Sequence, residues 1–323
     1  MSGGFPNTEP LVLSGANIRE LLSMSDAIGL LKNWLMETRG LGDVCPPRLT
    51  QKICNRQFVL TCGHGGMVGE KAVDGLRIYY SGSKRRDRDA QLTATFDAHT
   101  GALSGVVLGA ELGELRTGAL GGIAIDLLAP AKVQSVLIFG AGGQAASQLR
   151  GLEAVRNPQK IGIISRTRAS ASDFILSMQP KCSAQLYAAT DWRSEIGTAD
   201  LVITATNSEA PLFRYDELPD HVHVNAIGPK LPDHSELPDE LYRCATLLIT
   251  DSPQQYEASG YHSAKRSTRS SILSLSELLN YESRPAPKEG KSIYLSCGIS
   301  GSEPVLAQSL IEKYRSLQAV AIR

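Results

Sequence analysis

The chain has 323 residues, and its 33 lysine plus arginine residues are balanced by 33 aspartate plus glutamate residues. This balance excludes the strongly basic surface that recruits nucleic acid or an anionic membrane, so neither partner is expected. Hydrophobic residues make up 42% and charged residues 20% of the chain, as in a globular protein. The sequence shows neither a signal-peptide core nor a run of the ~20 apolar residues that a membrane span needs, which predicts a cytoplasmic location.

The cysteines and histidines predict no metal site. The six cysteines are scattered without a C-x-x-C pair, which indicates free thiols rather than a zinc or redox motif. His221 and His223 share one face of a predicted strand, but no third ligand stands at a suitable spacing.

The N-terminal third begins with a short strand at residues 11–13 and a helix that Ser25 is expected to cap. Ile28, Leu31 and Leu35 recur at helical spacing on one face of that helix.

An antiparallel sheet is predicted to follow the helix. Strands are expected within residues 49–60, 75–80 and 91–96, and a hairpin through 96–103 leads to a further strand at 106–108. The charged run at 84–89 separates two of these strands and predicts a solvated turn. Residues 115–124, which are rich in small side chains, predict a tightly packed helix.

A strand, a glycine turn and a helix start follow one another between residues 133 and 149. The apolar run 135–139 is too short for a helix and suits a buried parallel strand. Gly140 permits a tight turn, Gly142 lets backbone N–H groups approach a pyrophosphate, and Ala145 lets the helix pack close to the strand. This G-x-G-x-x-A pattern predicts a dinucleotide site. Its cofactor-binding residues are Gly140, Gly142, Gly143, Gln144 and Ala145.

Further strands are predicted at 160–165, 200–206, 221–228 and 245–251, with helical or loop segments between them. This alternation indicates a parallel, doubly wound sheet of the Rossmann type. Residues at the carboxyl ends of two of these strands are expected to frame the nicotinamide. They are Thr204, Ala205, Thr206, Ile227 and Gly228.

The segment Ser165, Arg166, Thr167 and Arg168 favours NADP(H) over NAD(H). It follows the second strand and lacks the carboxylate that an NAD-selective fold places against the ribose 2′-hydroxyl. The two arginines suit a 2′-phosphate, and the two hydroxyls add neutral hydrogen bonds. The alternative is that one of these arginines is simply a solvent-exposed residue of a surface turn.

The order of these motifs resembles the ornithine cyclodeaminase/μ-crystallin family. The resemblance rests on LRTGALGGIA at 115–124, followed by a strand that ends in GAGGQA at 140–145, and it covers nearly the whole chain. It implies an α/β fold in which a Rossmann domain, residues 119–301, is inserted in an α+β substrate and dimerisation domain, residues 1–118 plus 302–323. A homodimer is therefore expected. Residues 303–320 fit the helix that returns to the second domain.

The resemblance also implies residues that bind the substrate. Arg48 and Arg116 match positions whose guanidinium groups hold a substrate carboxylate, a task that suits a permanently charged planar fork. The family usually has a lysine near residues 71–80. Arg77 takes that place in one register and Lys71 in the other, and both are kept as catalytic candidates. Arg77 is also expected to fix the substrate carboxylate together with Arg48 and Arg116.

Lys230 stands two residues after Gly228, where cyclodeaminases of the family carry an aspartate that binds the distal amine of the substrate. A cation there repels the ornithine ammonium group and suits a neutral or acidic side chain. Asp233 is close enough in sequence to restore the aspartate through a local shift.

Together these residues predict an NADP-dependent oxidoreductase that acts on the C=N bond of an α-imino acid or cyclic ketimine, or on the CH–NH bond in the reverse direction. The alternatives are an amino-acid dehydrogenase, a cyclodeaminase-type lyase, and a μ-crystallin-like protein that binds NADPH and a small ligand without turnover. No spacing rule identifies the substrate or the physiological direction.

Overall fold

The computed structural model describes residues 9–38, 44–54, 56–68, 71–81, 91–231, 234–260, 272–281 and 290–321. The chain divides into two compact units, one formed by residues 1–116 with 299–323 and the other by residues 117–298. The sequence-based domain boundaries fall after residues 118 and 301. In the part of the chain that the structure describes, no helix combines the length and apolarity needed to cross a membrane.

The first unit contains a six-stranded sheet in the order β1-β6-β5-β4-β3-β2. Strand β1 is parallel to β6, and the other neighbours are antiparallel. The strands are β1 (Leu11–Leu13), β2 (Leu49–Ile53), β3 (Arg56–Val68), β4 (Lys71–Ser81), β5 (Gln91–Asp97) and β6 (Leu103–Leu108).

Three described helices accompany this sheet: α1 (Gly15–Leu21), α2 (Met24–Glu37) and, from the chain's C-terminal segment, α10 (Ser302–Ala321). Helix α10 lies close against the sheet, because a Cβ atom added to Gly75 would stand 2.6 Å from Pro304 Cγ. Helix α3 (Glu111–Leu128) begins in this unit and continues into the other.

The predicted cap of α2 is wrong by two residues. Ser23, not Ser25, accepts a hydrogen bond from the Asp26 N–H at 3.1 Å, and the Asp26 carboxylate accepts one from the Ser23 N–H. This reciprocal capping box satisfies two backbone donors, whereas a start at Ser25 would have no such partner three residues on.

The second unit contains an eight-stranded parallel sheet in the order β15-β14-β16-β11-β10-β7-β8-β9. The strands are β7 (Ser135–Phe139), β8 (Lys160–Ile164), β9 (Gln185–Ala188), β10 (Leu201–Thr204), β11 (Val222–Ala226), β14 (Leu247–Thr250), β15 (Leu273–Ser274) and β16 (Lys291–Leu295). A small antiparallel pair joins β12 (Lys230–Leu231) to β13 (His234–Ser235).

The described α-helices of this unit are α4 (Gly143–Val155), α5 (Arg168–Met178), α6 (Trp192–Glu195), α7 (Asp239–Cys244), α8 (Pro253–Ala258) and α9 (Leu275–Asn280). Alternate residues of β7 and β10 enter two different core clusters. In β7, Val136 and Ile138 belong to one cluster, whereas Leu137 and Phe139 belong to the other. Because both sheet faces are covered at β7 and β10, these two strands are largely apolar.

These observations confirm the predicted fold class, in which a doubly wound parallel sheet is inserted in a unit with an antiparallel sheet. The chain order passes from β7 outward to β8 and β9, then returns to β10 on the other side of β7. This reversal is the topological switch point at which doubly wound folds bind their ligands. The predicted turn at 84–89 lies outside the described residues.

Candidate functional site

The glycine turn follows β7 at the switch point of the second unit. Gly140 has a φ of +125°, and its N–H donates to Ile164 O at 2.8 Å. A Cβ atom at this position would lie 2.4 Å from Ala205 O. Conformation and space therefore both require glycine here, and the close approach brings the loops after β7 and β10 together.

Helix α4 begins directly after this turn and presents an open N-terminus. Gly142 is its N-cap residue, makes no side-chain cap, and would meet no atom within 4 Å if a Cβ were added. Gly143 is the first helical residue, and Ala145 is fully buried in the core. The N–H groups and the positive end of the helix dipole suit a phosphate group in the space beside Gly142.

A buried carboxylate joins the loops that follow β10 and β11. Glu236 is 2% exposed, and one of its oxygens accepts hydrogen bonds from the N–H and hydroxyl groups of Thr206. Its other oxygen accepts from the Gly228 N–H at 2.8 Å. The Ile227 N–H donates to Thr204 O at 2.8 Å, so the two predicted nicotinamide loops are fixed to each other.

Two buried polar atoms around these loops show how the site fits a dinucleotide. Gln144 Oε1 and Thr204 Oγ1 are shielded from solvent and have no hydrogen-bond partner among the described residues. Native proteins rarely leave such atoms unsatisfied, and a ligand bound beside these loops can supply the missing partner. Together with the open turn at Gly142, they fit a dinucleotide held by the loops after β7 and β10.

The segment predicted to recognise the 2′-phosphate follows β8. Arg166 and Arg168 are exposed and Ser165 is half-buried. Thr167 is the N-cap of α5, and its hydroxyl already accepts from the Ser170 N–H at 3.1 Å. The arginines are therefore the accessible charged groups of this turn, and their role in cofactor choice stays a prediction.

The first unit brings Arg77 and Arg116 together on one carboxylate. Arg77 Nη1 on β4 and Arg116 Nε on α3 each donate to Glu303 Oε1 at 2.7 Å. Arg77 Nη2 also donates to Gln91 Oε1 at 2.6 Å, and its guanidinium lies 4.6 Å from the centre of the Tyr79 ring. We call Arg77, Arg116 and Glu303 the arginine cluster.

Glu303 stays ionised in spite of its burial. Its side chain is 2% exposed, compared with 12% for each arginine. Burial alone would raise the pKa of this carboxyl, but the charges of Arg116 and then Arg77 outweigh it and lower the pKa to about 2. Two guanidinium groups and one carboxylate leave the cluster with one net positive charge.

The remaining predicted residues are not joined to this cluster by the described contacts. Arg48 is half-buried just before β2, which is two strands away from β4 in the sheet. The backbones of Lys71 and Lys230 begin β4 and β12. Their side chains, and the whole of Asp233, lie outside the described part of the chain, so the roles given to Lys71 and Lys230 stay predictions.

The sequence analysis missed both buried glutamates. Glu303 lies in the first turn of a helix. Acidic residues are common there because the positive end of the helix dipole stabilises their charge. Glu236 lies between a short strand and α7 and matches no chemical motif. Their partners stand far away in the sequence, for example 226 residues away for Arg77 and Glu303, so no local pattern indicates either contact.

The fold and these two groups of residues define a two-unit α/β protein whose inserted unit is of the Rossmann type. Within this class, the chain belongs to the ornithine cyclodeaminase/mu-crystallin family, whose model matches residues 8–302.

Two named relatives are similar to this chain in sequence, and a solved structure shares its fold. A Delta(1)-pyrroline-2-carboxylate reductase of Bacillus cereus is 27% identical over 76% of each chain. The ketimine reductase mu-crystallin of Mus musculus is 29% identical over 68% of each chain. The structure of the Thermococcus litoralis Delta(1)-pyrroline-2-carboxylate reductase with NADH and L-proline superposes with a TM-score of 0.77 at 21% identity, covering 95% of this chain and 98% of that one.

Proposed function

We propose that this protein is an NADP(H)-dependent reductase of the C=N bond in an α-imino acid or cyclic ketimine. The observation that carries the proposal is the arginine cluster, in which two arginines meet in a position that is 12% exposed. Its net positive charge suits one carboxylate. Glu303 accepts one N–H from each arginine.

In the proposed reaction, the arginines bind the substrate carboxylate and fix the position of the adjacent imine carbon. When bound, the reduced dinucleotide supplies the hydride. An iminium carbon is already electrophilic, so the protein contributes mainly orientation and exclusion of water. Arg77 positions and polarises but does not serve as a general base near neutral pH. Lys71 remains the alternative proton donor.

The cofactor proposal rests on the loops of the second unit. The unpartnered atoms of Gln144 and Thr204 and the open N-terminus of α4 support a dinucleotide there. Arg166 and Arg168 support a preference for the 2′-phosphate of NADP(H). The Thermococcus relative holds NADH, which is why the preference needs its own measurement.

The named relatives support the reaction class. The Bacillus relative is named as a reductase of pyrroline-2-carboxylate and the mouse relative as a ketimine reductase. Both names describe reduction of a C=N bond. We therefore place this chain with the reductases rather than the cyclodeaminases of its family. Position 230, where cyclodeaminases of the family carry an aspartate, is a lysine in this chain, which supports the same choice.

We further propose a homodimer that forms through the edge of the six-stranded sheet. Strand β2 is an edge strand, and all five of its residues are exposed. An exposed edge strand has backbone N–H and C=O groups that can pair with a second copy of the chain, and its apolar side chains favour burial in such a contact. The cytoplasmic location stays a prediction.

The experiment follows NADPH absorbance with the purified protein and either pyrroline-2-carboxylate or piperideine carboxylate. We expect NADPH loss to match formation of the amino acid, with NADH a poorer donor. Arg116→Gln should raise KM by roughly 10- to 100-fold, because a charged hydrogen-bonding contact contributes about 1.5–3 kcal/mol. Arg166→Ala with Arg168→Ala should remove the preference for NADPH, whereas Arg150→Ala, an exposed arginine on α4, should not.

Two results would overturn the proposal. Tight NADPH and ligand binding without turnover would assign the chain to the non-catalytic ligand-binding class. Release of proline and ammonia from ornithine would assign it to the cyclodeaminases and would also contradict the role given to Lys230.

A further inference from the structure

The arginine cluster contains its own anion. Glu303 Oε1 accepts from both Arg77 and Arg116, and Glu303 Oε2 lies 3.0 Å from Ser302 Oγ. The same hydroxyl lies 2.7 Å from Ile299 O. The charge that a substrate carboxylate would meet therefore includes a carboxylate of the protein as well as the two arginines.

Burial makes this internal charge effective. The Glu303 side chain is 2% exposed, so solvent screens its interaction with the arginines weakly. The pKa of the carboxyl is lowered to about 2, since the charges of Arg116 and Arg77 outweigh the effect of burial. At neutral pH the cluster consequently carries one net positive charge, and a bound monocarboxylate makes it neutral.

We propose that Glu303 is a charge-setting residue that weakens carboxylate binding at the arginine pair and thereby keeps release of the product amino acid fast. The inference rests on the proposed function, because it assigns the substrate carboxylate to Arg77 and Arg116. The carboxylate is unchanged by reduction of the imine. Tighter binding of this carboxylate would therefore stabilise the complexes with substrate, transition state and product equally. It would lower KM without raising kcat.

The contacts of Glu303 provide a clean test of charge against geometry. In Glu303→Gln, the amide oxygen can accept from both arginines as Oε1 does, and the amide nitrogen can donate to Ser302 Oγ while that hydroxyl donates to Ile299 O. The substitution removes the charge and keeps the hydrogen bonds. Glu303→Asp does the opposite, because it keeps the charge and shortens the side chain.

The experiment measures affinity for pyrrole-2-carboxylate, a flat carboxylate analogue of a cyclic imine, and steady-state kinetics with pyrroline-2-carboxylate. We expect Glu303→Gln to tighten analogue and product binding roughly tenfold or more, because one buried negative charge near the ligand is removed. KM should fall by a similar factor and kcat should not rise. Glu303→Asp should stay near the wild type, as should Glu312→Gln on the same helix, where Glu312 accepts from Gln308.

Weaker analogue binding by Glu303→Gln, or unchanged binding together with a large change in Glu303→Asp, would overturn the inference and leave Glu303 as an orienting group only. If Glu303→Gln does not fold, Arg77→Gln in the same background restores one net positive charge. Arg77→Gln alone leaves the cluster without net charge, so the double variant should bind the analogue roughly tenfold more tightly than Arg77→Gln alone, and equal or weaker binding would again contradict the proposal. Analogue affinity tests the charge-setting role even if no imine is turned over, whereas turnover tests the proposed function.

Discussion

His223 is a buried histidine of the second unit, and its surroundings stabilise the neutral form of its ring. It is 1% exposed on β11, with Nε2 2.7 Å from Asn225 Oδ1 and Nδ1 2.9 Å from Ser292 Oγ. The Asn225 amide nitrogen donates to Gly121 O at 3.1 Å, so its Oδ1 is the acceptor and His223 Nε2 carries the proton. Burial disfavours the imidazolium ion and lowers the pKa of His223 to about 4.

This shift predicts a loss of stability in mild acid. The folded pKa lies below the unfolded value, so the stabilisation is complete above pH 6.5 and is lost as the pH falls to about 4. The shift corresponds to about 3 kcal/mol in the free energy of unfolding. Urea unfolding over this range should therefore show a steeper decline for the wild type than for His223→Gln.

The matched control for this measurement is His221→Gln. His221 is exposed, and its ring accepts from the Gly290 N–H at 2.9 Å. Its substitution should leave the pH dependence as steep as in the wild type. Parallel curves for the wild type and His223→Gln would show that protonation of His223 does not limit stability in acid.

At the scale of the element, two glycines in the turn between β7 and α4 have different roles, one in folding and the other in the proposed binding of the cofactor. Gly140 needs its positive φ and has no room for a Cβ atom, whereas Gly142 has a φ of −106° and open space around it. Gly140→Ala should therefore lower the free energy of unfolding by roughly 2 kcal/mol or more, through strain and a backbone clash.

Gly142→Asp should keep or slightly raise stability, since aspartate is the better N-cap by a few tenths of a kcal/mol. Its carboxylate would stand where the pyrophosphate is proposed to bind. The dissociation constant for NADPH should rise about 100-fold or more, because like charges about 4 Å apart repel by several kcal/mol at an effective dielectric of 20. Melting temperature and NADPH titration of both variants distinguish the two effects. Unchanged NADPH affinity in Gly142→Asp would remove the turn from the cofactor site.

The sequence predicted most of the central strands of the parallel sheet. Strand β7 has the predicted limits, and β8, β10, β11 and β14 fall within the predicted segments. Strand β16 (Lys291–Leu295) was missed, although all five of its residues are buried. Its first residue is a lysine whose ammonium lies 4.6 Å from the centre of the Tyr215 ring. This buried cation is stabilised by an aromatic ring that is distant in the sequence. It interrupts the apolar pattern on which sequence-based prediction depends.

The candidate site was predictable to the same extent. The glycine loop is local, so its residues could be assigned from spacing alone. Glu236 and Glu303 act through partners that only the folded chain brings near, and for Arg116 the partner stands 187 residues away. The sequence indicated three arginines, Arg48, Arg77 and Arg116, for a substrate carboxylate, but it did not show that the protein supplies a carboxylate of its own.

At the scale of the whole molecule, the edge of the six-stranded sheet predicts association. Leu49 and Ile53 on β2 are 63% and 51% exposed, and Phe58 on the adjacent β3 is 42% exposed. We expect sedimentation equilibrium at micromolar concentration to give about twice the chain mass of 34.7 kDa. Leu49→Lys with Ile53→Lys should shift the population to the monomer, since two added cations disfavour burial of the edge. A wild-type mass of 34.7 kDa would refute the homodimer.

The contact between α3 and α4 limits how this sequence can change over time. A methyl group on Gly121 would lie 2.1 Å from Gln148 Oε1, and one on Gly151 would lie 2.2 Å from Gly118 O. Gln148 cannot simply move away, because it donates to Thr117 O at 2.8 Å and accepts from Asn225. Substitution of Gly121 alone therefore damages both packing and hydrogen bonding, and substitution of Gly151 damages packing. Descendants of this protein should either keep these positions or replace Gly121 and Gln148 together.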